Sequence, residues 1–170
     1  LCILLFSSYI AQAQITLLGS ENFDSGPNHG FTFSPSNGTM VDNTYSLSTP
    51  NALWIPIPMD EGDSVMVTTP MYDCDSMSRV LLRFNHICKV ATSDEVRIEY
   101  RIDGFSNQWT PIPASSYRGN SKNYANNGFN AASYPIWKSQ DSTFLPNNNL
   151  WKEEYFDLTN EVSFEKVSFR

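Results

Sequence analysis

The residues whose types could do chemistry are few. There are two histidines, His29 and His86. His29 sits in Pro27-Asn28-His29-Gly30, a turn composition. His86 falls on the same strand face as Phe84 and Cys88. Residues i and i+2 of a strand project in parallel, whereas a base must reach its nucleophile within hydrogen-bond distance. A Cys88–His86 dyad is therefore disfavoured, and His86 reads as a packed histidine with one satisfied nitrogen. No G-x-S-x-G, H-E-x-x-H or P-loop pattern occurs. The carboxylate pairs Glu153-Glu154 and Asp60-Glu61 are adjacent and read as solvated turns. A glycosidase needs two carboxyls facing each other across a cleft.

Saccharide chemistry has a denser signal. Ser115 to Asn149 carries Asn120, Asn123, Asn126, Asn127, Asn130, Asn147, Asn148 and Asn149. Tyr117, Tyr124, Phe129, Tyr134, Trp137 and Phe144 are interleaved with them. Aromatic faces stack on sugar rings, and amides offer both a donor and an acceptor to hydroxyls. On this reading Tyr124, Tyr134 and Trp137 form a platform, with Asn126 and Asn130 as polar partners. On the competing reading the segment folds over the rest of the chain, its aromatics add to the core, and its asparagines serve turns. Connections this long are uncommon unless functional or disordered, and the aromatics argue against disorder.

The elements that must position these groups are strands. Helical periodicity is almost absent, and short apolar alternations are separated by Pro, Gly, Asn, Asp and Ser. Arg79–Val90 places Val80, Leu82, Phe84, His86, Cys88 and Val90 on one face. Leu81 and Ile87 on the other face suggest a central strand. Glu95–Ile102 points Val96, Ile98, Tyr100 and Ile102 inward and Arg97, Glu99 and Arg101 outward. Lys89–Asp94 connects the two as an expected hairpin. Weaker strand candidates are Thr16–Phe23, Ala52–Pro56, Ser64–Thr68, Trp109–Ile112, Glu154–Leu158 and Glu165–Phe169. Many short strands without intervening helices predict an all-β sandwich rather than βαβ units.

Composition bounds location and partners. With 18 acidic and 11 basic residues the formal charge is −7, and no basic cluster exists to meet nucleic acid or anionic lipid. Leu1 to Ile10 is apolar and is followed by Ala11-Gln12-Ala13, the small-residue pattern of a secretory cleavage site. The run is too short to span a bilayer, which takes about 20 apolar residues. Residues 1–13 are thus read as a signal peptide, with Gln14–Arg170 as one domain, secreted or on the cell surface. Cys2 leaves with the signal, and Cys74 and Cys88 remain where disulfides persist. A Cys74–Cys88 disulfide requires Cα atoms within about 7 Å, but the run Arg79 to Cys88 alone extends roughly 30 Å. A bridge therefore needs residues 74–78 to fold back along the strand; free buried thiols or a partner thiol are the alternatives. Asn37-Gly38-Thr39 fits an N-glycosylation acceptor. Asp63-Ser64-Val65, Asp75-Ser76-Met77 and Asp141-Ser142-Thr143 resemble a bacterial Asp-Ser/Thr-apolar O-glycosylation motif.

A family likeness runs through most of the chain. Its pieces are Glu21-Asn22-Phe23-Asp24, Val67-Thr68-Thr69-Pro70 and Leu82-Arg83-Phe84-Asn85-His86. Val96-Arg97-Ile98-Glu99-Tyr100-Arg101-Ile102-Asp103-Gly104 and Trp109 follow. Trp151, Phe156-Asp157-Leu158 and Val167-Ser168-Phe169-Arg170 close it. This order resembles MAM-like jelly-roll modules of secreted proteins, the cleaved-adhesin domains of bacterial surface proteins, and reelin subrepeats. Two departures are visible: Arg101-Ile102 stands where the pattern carries Ser before Asp-Gly, and the spacing from Asp103-Gly104 to Trp109 is longer. The resemblance implies an antiparallel jelly-roll β-sandwich, with a last strand beyond Arg170. The missing initiator Met and the strand stopping at Arg170 accordingly read as a fragment, with further domains expected C-terminally. The resemblance further implies a structural calcium ion held by Asp24 and Asp157; the plainer reading makes Asp24 a turn residue and Asp157 a solvent-facing strand residue.

The function expected from these readings is non-catalytic adhesion, or binding of a glycan or surface protein, through residues 115–149. The alternatives are an accessory domain of a secreted hydrolase, protease or glycosidase, and a structural spacer. Export of the chain should remove residues 1–13. Intact mass of the exported protein is expected to fit a start at Gln14, and a species retaining Leu1–Ala13 would refute the signal reading.

Overall fold

The computed structural model describes residues 16–25, 30–35, 40–48, 50–56, 62–105 and 107–170. The expected signal peptide, His29, Asn37-Gly38-Thr39 and Asp60-Glu61 lie outside the described residues.

The described chain is all-β and antiparallel. Its strands are β1 (Thr32–Ser34), β2 (Met40–Asp42), β3 (Ala52–Trp54), β4 (Met66–Thr68), β5 (Tyr72–Asp73) and β6 (Leu81–His86). They continue with β7 (Glu95–Arg97), β8 (Glu99–Ile102), β9 (Thr110–Pro111), β10 (Gly128–Asn130), β11 (Lys152–Asp157) and β12 (Lys166–Phe169). One α-helical turn, α1 (Thr159–Val162), joins the last two strands. No helix among the described residues is long and apolar enough to cross a membrane.

The largest sheet has the order β5–β12–β8–β9. The longest pairing is β6 with β11, antiparallel from Leu81 opposite Asp157 to His86 opposite Lys152. Smaller pairs are β1–β4, β2–β3 and β7–β10. The hairpin expected between Arg79–Val90 and Glu95–Ile102 is not formed. β6 pairs with β11, whereas β8 pairs with β12 and β9. The connection, turned by Asp94 N–H donating to Ala91 O, carries the chain from one sheet to another. Each sheet can then bury one face against the other elements, which a flat hairpin of the two could not do alone.

The alternation read from the sequence decides which faces are inward. Val80, Cys88 and Val90 are buried and Phe84 and His86 half-buried, while Leu81, Arg83 and Asn85 are exposed. Val96 departs from its expected inward position and is exposed. Thr16–Phe23 forms no strand. Residues 115–149 fold as short 3₁₀ turns around β10. They deliver Tyr124, Phe129 and Trp137, all fully buried, to the same core as Ile112, Phe156, Leu158, Val162 and Val167.

Cys74 and Cys88 are free, buried thiols, so the expected disulfide is absent. Cys74 is held beside β12 by its N–H donating to Glu165 O at 2.9 Å. Residues 75–79 lead from there to the start of β6, and Cys88 lies beyond the other end of that extended strand. Without reductant, Cys74 and Cys88 should resist alkylation in the native protein and both react after denaturation. A Cys74–Cys88 linked peptide in mass mapping would refute this arrangement.

Candidate functional site

The most concentrated chemistry in the molecule is a buried carboxylate. The strand alternation of β11 sends Glu153 and Tyr155 outward and Glu154 and Phe156 inward. The expected solvated turn at Glu153-Glu154 is therefore corrected: these neighbours occupy opposite faces, and Glu154 is 1% exposed. Adjacent acids look alike in composition, but a period of two separates them as soon as the segment is extended.

Three elements bring donors to Glu154. From β6, His86 Nε2 lies 2.9 Å from Oε1. Tyr134, at the start of the 3₁₀ turn Pro135–Trp137, donates its hydroxyl to Oε1 at 2.7 Å. Tyr117 bridges to Phe156 through its backbone and donates its hydroxyl to Oε2 at 2.5 Å. The two tyrosine hydroxyls are 3.5 Å apart. Gly119 leaves room for this arrangement, since a Cβ there would stand 2.2 Å from the Tyr117 hydroxyl. The His86 ring is held by aromatic edges, with centroids 4.5 Å from Phe129 and 5.1 Å from Trp137. Trp137 is itself anchored by Nε1 donating to Leu150 O at 3.0 Å.

Burial works to push the Glu154 carboxyl up. The hydrogen bonds from His86, Tyr117 and Tyr134 outweigh it and hold the group below the usual glutamate range. Glu154 is thus a carboxylate, which only accepts, so His86 Nε2 must carry the proton it shares. Tyr117 moves the other way: burial first, and then its hydrogen bond to Glu154, keep its phenol protonated well above the ordinary range. Cys88, the nearest thiol in sequence to His86, is pushed up to about 12 by burial, so it stays a thiol rather than a nucleophilic thiolate. The sequence reading of His86 as packed with one satisfied nitrogen agrees with this geometry. The Tyr117–Glu154–Tyr134 part went unseen because its members are far apart in sequence.

The expected saccharide platform is dispersed. Tyr124 is fully buried, with its hydroxyl donating to Ile112 O at 3.0 Å. Trp137 is likewise fully buried, so neither ring offers a free face. Tyr134 is half-buried and its hydroxyl serves Glu154. Asn126 is exposed with φ 56°, a turn conformation asparagine tolerates. Asn130 Oδ1 accepts from Ala132 N–H, and the residue borders an open hollow with Thr92, Ala131, Ala132, Pro135 and Gln140. The structure thus assigns the aromatics of this segment to the core.

The two acids implied as calcium ligands are otherwise engaged. Asp157 accepts from Thr159 Oγ1 at 2.6 Å and faces Arg79 at 3.5 Å and Arg118 at 3.7 Å. The Thr159 hydrogen bond, and then the two guanidiniums, hold its carboxyl below the ordinary range. A carboxylate already facing two cations does not fit a calcium ligand, whose site needs negative oxygens to outnumber positive neighbours. Asp24 accepts from Asn22 Nδ2 at 2.7 Å and from Asn51 N–H at 3.2 Å, a turn arrangement. No group of three or more His, Cys, Asp or Glu residues is gathered among the described residues.

Comparison of the chain with protein-family models, curated proteins and solved structures returned no match.

Glu154→Gln keeps the shape but removes the charge that three donors share, and it should cost about 3 kcal/mol of stability at neutral pH. Because the folded pKa is lowered, the carboxylate's contribution is complete above the unfolded value of about 4.3 and is lost as pH falls through the folded one. Denaturant melts from pH 7 to pH 3 should therefore show the gap between wild type and variant narrowing below about pH 4. A gap that stays constant would refute the assignment.

Proposed function

We propose that this chain is a non-catalytic extracellular module of jelly-roll β-sandwich type that adheres to, or binds, a glycan or protein surface. Support for the architecture comes from the strands β3 to β8, each of which lies in a different sheet from the one before it, and from the antiparallel order β5–β12–β8–β9. The likeness to MAM-like and cleaved-adhesin modules points the same way.

The observation that carries the reading is the state of Glu154. Both of its oxygens accept hydrogen bonds, from three donors on three separate elements, and the residue is 1% exposed. A catalytic carboxylate needs an open coordination position for the proton it transfers. This one already accepts from three donors, out of about four lone-pair sites, and it joins the elements that carry them. The outer surface instead offers contact groups, with Phe105 84%, Leu145 73% and Phe164 61% exposed. Exposed large apolar groups suit contact with another surface.

The immobilised chain is expected to retain at least one ligand from a panel of oligosaccharides and extracellular surface proteins, and to leave it chemically unchanged. Hydrolysis of any ligand by the purified chain would overturn the proposal. So would failure to retain anything across both panels.

A further inference from the structure

We infer that the outward face of β6 and β11 is a binding site for neutral saccharides, an inference that rests on the binding-module reading above. These are the longest paired strands, six residues each. Their outward positions are Leu81, Arg83 and Asn85 on one strand and Glu153, Tyr155 and Asp157 on the other. Leu81, Arg83, Glu153 and Tyr155 line an open hollow of about 280 Å³, just under the roughly 300–1,000 Å³ typical of ligand pockets.

The chemistry of the hollow matches one ligand class. Tyr155 contributes a half-buried aromatic ring, and the Arg83 guanidinium carbon lies over that ring, 6.0 Å from its centroid. Arg83 is directly opposite Tyr155 in the register and forms an ion pair diagonally with Glu153. Their side chains remain 62% and 54% exposed, so the pair is open to a ligand. A guanidinium presents donors in a planar fork and a carboxylate presents acceptors. A vicinal diol needs both at once, together with a ring surface for its C–H face. Leu81, 41% exposed, extends that apolar surface.

The charges also select among sugars. Arg83 and Glu153 neutralise each other, so an anionic saccharide would gain from the arginine only by displacing or facing the glutamate. Neutral hexoses meet no such opposition. The frame is rigid as well: β11 is paired with β6 along its length, and its Tyr155 carbonyl accepts from Arg118 N–H at 2.9 Å on the other side. Sites built on such strands are held more firmly than sites on loops.

The test is titration of the purified chain with neutral gluco-, galacto- and manno-oligosaccharides, alongside sialylated and sulfated ones. Binding of a neutral oligosaccharide is expected, with roughly tenfold weakening by Tyr155→Ala and by Arg83→Ala. Arg83 is exposed and Tyr155 half-buried, and unchanged melting curves would separate lost binding from lost folding. Preference for the acidic sugars would overturn the inference. So would neutral-sugar binding that survives both substitutions, or that is abolished by Asn130→Ala at the other hollow. Retention of surface proteins with no neutral saccharide bound would also overturn it, while leaving the binding-module reading in place.

Discussion

A single buried negative charge organises this molecule. Placing a carboxylate in a core carries a desolvation cost of several kcal/mol unless donors replace the lost water. Glu154 meets that condition only if β6, the Tyr117 bridge and the Tyr134 turn are all in place together. Misplacing any one of them leaves an acceptor partly unfilled in apolar surroundings. The carboxylate therefore acts as a registration pin: it tolerates one arrangement of the strands and of the segment that follows them, and it penalises slipped ones. This is a role in specificity, resting on hydrogen-bond geometry rather than on apolar area.

The same constraint explains the long asparagine-rich segment. It cannot form regular strands throughout, because its turn residues recur every few positions. Yet its aromatics cannot remain in water at little cost. The compromise is a chain of short turns, each setting one ring into the core. Tyr124, Phe129 and Trp137 pack against Phe156 and His86, with Tyr124 and Phe156 centroids 4.9 Å apart. The asparagines hold the turns from outside, as where Ala114 N–H donates to Asn127 Oδ1 at 2.7 Å. The largest fully buried rings, Trp137, Tyr124 and Phe129, are thus supplied by a segment whose composition reads as loop.

With the interior rings and the acid committed to packing, the groups left in solvent stand on the outward faces. The β6–β11 pair shows the division most plainly. Alternate residues of the same two strands turn half-buried Phe84 and His86 and buried Glu154 and Phe156 to one side. On the other they expose Arg83 and Glu153 and leave Tyr155 half-buried. The packing that fixes the inner set also fixes the spacing of the outer set.

Local pattern was legible in the sequence wherever neighbours in the chain decide the outcome. The absence of helical periodicity, the alternation through Arg79–Val90 and the inward histidine follow from a period of two and from turn chemistry. The same period of two also disfavoured a nucleophile–base pair at His86 and Cys88, whose side chains project in parallel. The pairing of strands was not legible. The hairpin suggested by proximity gives way to β6–β11 and β8–β12, because which strands share a sheet depends on how all apolar faces are buried at once. For the same reason Glu153 and Glu154, alike on paper, became a surface ion-pair partner and a core carboxylate. Tyr124 and Trp137, plausible as exposed platforms by type, became interior rings. Residue chemistry determined what each group could do. Only the tertiary structure, by deciding which groups lost their water and which donors met them, determined what each group does.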